Sequence, residues 1–450
     1  MSRSIQSMES NTFEVNDDDL LVSSVITNKN FRCSQKRYNL KKKKSPPRTV
    51  LSWLVHSGVV SQNEVIQYRS PTNDAVVKEG IVKNGHLLCL CCWEELSFSE
   101  FKRHAGFGLN SRCMNLFMEN GKSLILSQLE AWSAEYLARK APLEKGRVFH
   151  VGENDEFCGL CGSAGDLVCC DNCPSAFHQT CMLEQVLPPG SWYCLHCCCQ
   201  TCGILVNDKD GGLRCSLCKH KYHYRCVQSQ IMDGGLLSDS WFCAQSCHEI
   251  YSGLESRIGL MNHLSSGISW TLLKCIDGDH KAHSSKHFVA LKAECNSKLA
   301  VAIKIMEECF RPMEDEDTKI SMIPQAIYNW GSQLPRFDYS DFYAVILEKN
   351  DIIMSVACIR IHGAKLAELP FIATCKEHQG KGNFRLLVES IEKMLKTLNV
   401  EKLLVASHSE LVSTWMDSFH FQHLEEEEKQ NLCKVNLMVL PGSTWLKKCL

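Results

Sequence analysis

The sequence predicts a multidomain α+β protein: a small globular N-terminal module, two cross-brace zinc fingers in tandem, and a C-terminal mixed α/β domain. Three observations predict it. The 450 residues exceed one ordinary domain and suggest about three units. Of the 28 cysteines, 16 fall between Cys158 and Cys247. From about His287 the apolar pattern alternates between helical and strand periods, as helices layered on a sheet require. The 44% hydrophobic and 22% charged content is that of a globular chain.

Residues 1–45 read as a disordered tail whose basic end is Lys41 to Lys44, followed by Ser45-Pro46-Pro47-Arg48. Such a run fits a solvated charge block or a nuclear import signal. Residues 46–139 form the first module. Thr49–Val60 is an amphipathic helix with Leu51, Trp53, Leu54, Val55 and Val59 apolar, followed by strands at Val65–Tyr68 and Gly80–Val82. Cys89, Cys92, His104 and Cys113 form either a metal set, with Cys91 competing, or small buried thiols beside a core histidine. Residues 140–156 read as a linker, and residues 251–290 as a second, with one helix over Leu254–Leu264.

The C-terminal domain, 291–448, opens on a helix that places Leu299, Ile303, Met306 and Phe310 on one face. Strands follow at Phe342–Leu347 and Ile352–Ile361 around the turn Lys349-Asn350-Asp351, then at Lys365–Thr374. Asn383–Leu398 is an amphipathic helix burying Phe384, Leu387, Val388, Ile391, Met394, Leu395 and Leu398. A strand at Lys402–Ala406, a helix near Glu410–Phe419 and a strand at Val435–Leu440 complete the domain.

A net charge of -2 excludes a uniformly basic nucleic-acid binder, and no sequence-specific DNA contact is expected. No apolar run reaches a membrane span, and the acidic first twenty residues lack the apolar core of a secretory signal. The expected setting is soluble and intracellular, where clustered C-x2-C pairs with histidines are metal sites before they are disulfides.

The spacing then decides the type of finger. Cys158, Cys161, Cys170, Cys173, His178, Cys181, Cys194 and Cys197 supply eight ligands, with the histidine fifth. A RING finger has it fourth, so the order is that of a PHD finger. Cys158, Cys161, His178 and Cys181 should hold one zinc ion, and Cys170, Cys173, Cys194 and Cys197 the other. The pattern repeats in Cys199, Cys202, His223 and Cys226 with Cys215, Cys218, Cys243 and Cys247, whose last spacing is one residue longer. The fingers thus span 155–198 and 199–250 and call for four Zn²⁺ ions. Trp192 and Trp241 each stand two residues before the seventh ligand, and Cys169 and Cys198 are spares. Fingers this small need metal for much of their folding energy.

PHD fingers resemble one another in adding a histone tail as an extra strand. The cage tryptophan of trimethyl-lysine readers is replaced here by Ala176. Asn154-Asp155-Glu156 and Gly165 to Asp171 instead resemble fingers that prefer an unmethylated histone H3 tail. That resemblance implies a tail site at Asp155, Glu156, Asp166, Leu167 and Asp171, with plain solvated charges as the alternative. The second finger lacks this signature and reads as structural or protein-binding.

Ala367 to Arg385 runs from a strand, through a loop with Gly380 and Gly382, into a long helix. Glycines let backbone N–H groups approach a pyrophosphate, and the helix dipole favours its charge. The segment resembles the acetyl-CoA loop of GNAT acetyltransferases, with Glu377 departing from the usual first position, partly offset by Lys376 and Lys381. The resemblance implies acetyl-CoA held by Gln379, Gly380, Lys381, Gly382 and Asn383. It also implies a thioester carbonyl polarised by the backbone of Phe371, Ile372 and Ala373. Pro370 predicts a bulge where the strand splays. Glu368 is the implied general base, with a strand-surface carboxylate as the alternative. His420 is a substitute acid or a surface histidine.

Thr49 to Leu54, Gly80 to Cys92, Phe98 to Gly106, Gly121 to Leu126 and Ala131-Trp132 resemble the Tify-binding, or Jas-like, module of plant proteins. That module, PHD fingers and a GNAT domain in this order resemble the plant PHD-finger acyl-CoA N-acyltransferases, relatives of the increased DNA methylation histone acetyltransferase. Phe342 to Glu348, Ile359 to Gly363 and Ala367 to Ile372 add to the match. The resemblance implies a nuclear chromatin regulator that reads an H3 tail, acetylates histone lysine, and meets transcriptional co-regulators through the first module. The rival is a non-catalytic reader that keeps a GNAT fold as a scaffold.

Overall fold

The structure, a computed structural model, describes residues 46–106, 113–144, 153–182, 187, 189–207, 212–228, 240–278, 285–315, 318–440 and 442–450. The basic tail falls outside them, as does the side chain of Cys113.

In the first module, α1 (Val50–His56) starts at a capping box. The Ser52 N–H donates to Thr49 Oγ1, and the Thr49 N–H to Ser52 Oγ, both at 3.0 Å. Strands β1 (Val65–Arg69), β2 (Val76–Lys83), β3 (His86–Cys89) and β4 (Glu95–Leu96) precede α2 (Phe98–His104), which has its own capping box through Ser97 and Glu100. Strand β5 (Leu116–Met118) closes a five-stranded sheet in the order β4-β3-β2-β1-β5. Helix α3 (Leu124–Glu144) follows and occupies part of the expected linker.

Each finger carries one two-stranded sheet: β6 (Leu167–Cys169) with β7 (Ala176–His178), and β8 (Gly212–Arg214) with β9 (Lys221–His223). Short α4 (Tyr224–Val227) and α5 (Gln245–Glu255) complete the second.

The segment 251–290 is not a linker. It ends α5 and supplies β10 (Met261–His263) and β11 (Ile268–Leu273), the first two strands of an eight-stranded sheet. The helix expected over Leu254–Leu264 is not formed: α5 ends at Glu255, and the chain turns at Gly259, whose φ of +70° is outside the right-handed helical region. Only glycine fits there, since a Cβ would lie 2.4 Å from Leu291 Cδ1. Helix α6 (Lys286–Cys309) and α7 (Met322–Ile327) lead into β12 (Tyr343–Lys349), β13 (Ile352–Ile361) and β14 (Ala367–Thr374). Then come α8 (Asn383–Thr397), β15 (Lys402–Ser407), α9 (Val412–Phe419), β16 (Gln422–His423), α10 (Glu426–Asn431) and β17 (Thr444–Cys449). The sheet order is β10-β11-β12-β13-β14-β15-β17-β16, antiparallel except between β14 and β15. Val435–Leu440 forms no strand; it crosses the domain irregularly, and the place beside β15 is taken by β17, with β16 at the edge.

One apolar core runs through the first module and the C-terminal domain, from Leu51, Trp53 and Leu54 to Leu299, Ile303 and Val356. Glu135 on α3 knots the two together. It accepts from Trp53 Nε1 and pairs with Lys304 of α6, each at 2.9 Å. At α2, the Ser99 N–H donates to Asp351 in the β12–β13 turn at 2.7 Å.

Candidate zinc centres and acyl-transfer site

All four ligand sets read from the spacing come together, each with its four ligand atoms within 4.8 Å of one another. The histidines show how the sets are oriented. His178 Nδ1 lies 3.3 Å from Cys161 Sγ, while Nε2 faces the Ala164 carbonyl, also at 3.3 Å. His223 repeats this, with Nδ1 3.4 Å from Cys202 Sγ and Nε2 3.0 Å from the Leu205 carbonyl. A proton on Nε2 donated to the carbonyl leaves Nδ1 as the metal ligand. Backbone N–H groups of His178 and Cys194 point at Cys158 and Cys170 Sγ, at 3.4 and 3.2 Å, which suits thiolates. The long last spacing of the second finger is absorbed by α5, whose first turn carries Cys247. Trp192 and Trp241 pack edge-on against Phe177 and Tyr222. The donor sets thus fit zinc, which when bound would supply the cross-links that these small folds otherwise lack.

The expected tail residues divide. Asp155 is buried, and its carboxylate is gripped by Arg336 of the C-terminal domain through Nε at 2.7 Å and Nη2 at 3.0 Å. It docks the finger and is not free for a tail. Arg336 also stacks on Phe157 and Phe337. Asp171 accepts the Trp192 N–H at 2.7 Å, so it braces the finger internally. Glu156 and Asp166 are exposed, and Leu167 begins β6, whose outer edge is unpaired among the described residues.

In the C-terminal domain the parallel pairing of β14 with β15 lasts three residues, Ala367–Leu403, Glu368–Leu404 and Leu369–Val405. Beyond it the strands part. On the other side, the β13–β14 register slips by one residue between Cys358–Phe371 and Arg360–Glu368, which is the bulge Pro370 predicts. Phe371, Ile372 and Ala373 therefore line the open side of the splay. The loop beyond it is self-braced. Gln379 Nε2 donates to the Thr374 carbonyl, and Asn383 Nδ2 to the His378 carbonyl, both at 2.9 Å; Lys381 Nζ reaches the Glu377 carbonyl at 2.7 Å. Gly380 and Gly382 have φ of +67° and +74°, with open space beside each. Gly382 is the N-cap of α8 without a side-chain cap, leaving the first helical N–H groups for an anion.

Glu377 is answered from the first module: Arg48 Nη2 lies 2.9 Å from its carboxylate. Burial pushes the Glu377 carboxyl up, but its own backbone N–H and Arg48 outweigh this and hold it below its ordinary range.

Glu368 is wholly buried, not a solvent-facing carboxylate. Oε1 is bound by Arg360 Nε at 2.6 Å and His362 Nε2 at 2.9 Å, and Oε2 accepts the Met438 N–H at 2.9 Å. Burial raises its pKa, but Arg360, His362 and Met438 together hold it below the carboxylate range. That is a poor proton acceptor. The pKa of His362 is pushed down by burial against the pull of Glu368. Arg360 and His362 both line a cavity of about 220 Å³, walled on the far side by His196 of the first finger and Arg214, His220 and Lys221 of the second. Sequence reasoning assigned neither Arg360 nor His362 a role. Their signal was two polar residues, two apart, at the end of an otherwise apolar strand. His420 is an exposed C-cap of α9 in the left-handed conformation and belongs to that turn.

Among the described residues, no helix is long and apolar enough to cross a membrane. Three family models match: the Tify domain binding domain over residues 80–131, the PHD-finger over 158–197, and the Increased DNA methylation 1 C-terminal domain over 310–449. Increased DNA methylation 1 of Arabidopsis thaliana is 50% identical over 407 residues, 90% of this chain and 34% of that protein. The mouse histone-lysine N-methyltransferase, H3 lysine-36 specific, is 46% identical over 114 residues, 25% of this chain and 3% of that one. Among solved structures, Tetrahymena GCN5 aligns at 16% identity and a TM-score of 0.28 over 40% of this chain and 94% of its own. With half of its residues shared along nine tenths of its length, the chain is a relative of Increased DNA methylation 1, spans about a third of that protein, and carries the C-terminal domain named for it.

Proposed function

We propose that the chain is a nuclear, chromatin-associated acetyltransferase that reads an unmethylated H3 tail through its first finger and acetylates a histone lysine in its C-terminal domain. The observation that carries this reading is the pair of left-handed glycines at the uncapped start of α8, beside the splay of β14 and β15. Bound acetyl-CoA would supply the acyl thioester. Backbone N–H groups from Gly380 to the first turn of α8 would receive its phosphates, with Gln379, Lys381 and Asn383 bracing the loop. Arg48 keeps Glu377 from opposing that charge. Backbone N–H groups among Phe371, Ile372 and Ala373 would polarise the thioester carbonyl.

The attacking amine has a reference pKa of about 10.4, so a base must take its proton. His362 is the better candidate. Its Nε2–H donates to Glu368, which leaves Nδ1 to accept, and it faces the cavity that Glu368 does not. Glu368 then holds the imidazole in one tautomer and offsets the charge it gains. The tail adds along the outer edge of β6, with Glu156 and Asp166 near its ammonium groups. Tethering raises the local concentration of tail at the cavity. Co-regulators would meet the Tify-binding module.

The test is transfer of labelled acetyl to an unmodified H3 peptide by the zinc-loaded chain, beside His362→Gln and Glu368→Gln. A loss of 10²-fold or more of kcat in His362→Gln with unchanged coenzyme A affinity is expected, on the order of what a general base contributes. Undiminished transfer by His362→Gln sinks the assignment. The non-catalytic reading has one observation in its favour: the cavity wall is mostly basic, with Arg214, Lys221 and Lys434 against Asp338 and Asp341, which disfavours an ammonium. It wins if the parent chain binds tail and coenzyme A without transfer.

A further inference from the structure

The first module holds a Cys/His cluster outside both fingers. Cys89 ends β3, Cys91 and Cys92 lie in the turn that follows, and His104 ends α2. Their four ligand atoms lie within 4.8 Å of one another, the same closeness seen in the four finger sets. Cys91 Sγ is 3.0 Å from His104 Nε2 and 3.3 Å from Cys89 Sγ. We infer that these residues form a fifth zinc site, of Cys3His type, and that Cys91 rather than Cys113 supplies its fourth ligand.

Core packing does not account for the cluster. Cys91 and His104 are exposed and Cys92 is half-buried, so only Cys89 belongs to the interior. Apolar burial therefore gives no reason for three thiols and an imidazole to converge at a surface. The turn is shaped for convergence: the Trp93 N–H donates to the Cys89 carbonyl at 2.8 Å, the Cys89 N–H to the Glu94 carbonyl at 2.9 Å, and Trp93 takes φ +60°. Three thiolates and a neutral imidazole are a tetrahedral zinc set. Zinc would leave that set with one net negative charge, and Lys78 Nζ stands 3.1 Å from Cys91 Sγ to offset it. The β3–β4 turn and α2 would thereby be fastened together. Because Ser99 of α2 holds Asp351, the fastening reaches the contact with the C-terminal domain.

The experiment is zinc content of the full chain by mass spectrometry of the metal, with alkylation mapping of the cysteines. Five zinc equivalents per chain are expected, falling to four in Cys91→Ser and His104→Ala and staying at five in Cys113→Ser and in His104→Cys, which restores a fourth ligand. In the parent chain, Cys91 should resist iodoacetamide until a chelator removes zinc, although it is exposed. Four equivalents in the parent, or prompt alkylation of Cys91 in the zinc-loaded parent, overturns the inference without reference to how any variant folds.

Discussion

At the scale of single residues, the chemistry near the proposed acyl-transfer site is set by what each charge is paired with. Glu377 reads in the sequence as a departure that puts negative charge beside a phosphate loop. The fold answers it with Arg48, 329 positions away, and no spacing rule reaches that far. Removing the guanidinium takes away the carboxylate's hydrogen-bonded cation. Arg48→Ala is expected to weaken coenzyme A binding roughly fivefold, a Coulomb term on the order of 1 kcal/mol. Adding Glu377→Gln should restore most of it; calorimetric titration of the two singles and the double checks the cycle. Glu368 teaches the same lesson. Its position at the start of the splay was legible, but its partners Arg360, His362 and Met438 come from another strand and from a segment 70 positions on. The cysteines and histidines that converge in the fingers were legible from the spacing, because spacing within a few residues is local information.

At the scale of elements, long periodic segments read true, as did the short strands at Val65–Tyr68 and Lys402–Ala406, while β10 and β17 went unread. The helix expected over Asn383–Leu398 is α8 (Asn383–Thr397), and the strand expected over Ile352–Ile361 is β13. Both repeat an apolar pattern long enough to fix a period. Strand β10 has three residues, and β17 carries Lys447 and Lys448 in succession, so neither shows that signal. The start of α8 depends on one backbone conformation. Gly382 sits at φ +74°, where an L side chain costs about 1–2 kcal/mol although nothing would touch its Cβ. Gly382→Ala should therefore shift the loop, not the core. Coenzyme A affinity is expected to fall about tenfold with little change in zinc content, read by titration beside metal analysis.

At the scale of the molecule, the first module and the C-terminal domain are one folding unit bridged by Glu135. Burial raises the pKa of that carboxyl, yet Lys304, Trp53 and Arg139 more than compensate and hold it below 4.5. The pairing thus stabilises fully above pH 4.5 and is lost as pH falls through the depressed value. Glu135→Gln should lose about 2 kcal/mol at pH 7, the worth of hydrogen bonds to a charge, and the gap from the parent should narrow as pH falls through the depressed pKa. Thermal unfolding followed from pH 7 downward measures it. The shared core has a consequence for heredity as well as for stability. A recombination event that cut between Glu144 and Cys158 would separate sequences that look like independent cassettes, yet leave Leu51, Trp53 and Leu54 facing water on one product and α6 stripped of its cover on the other. These two units can be inherited only together, and the second finger with them, because its Cys215, Leu217 and Ile250 lie in the same core; the first finger, whose interior is its own, is the piece that evolution is free to exchange.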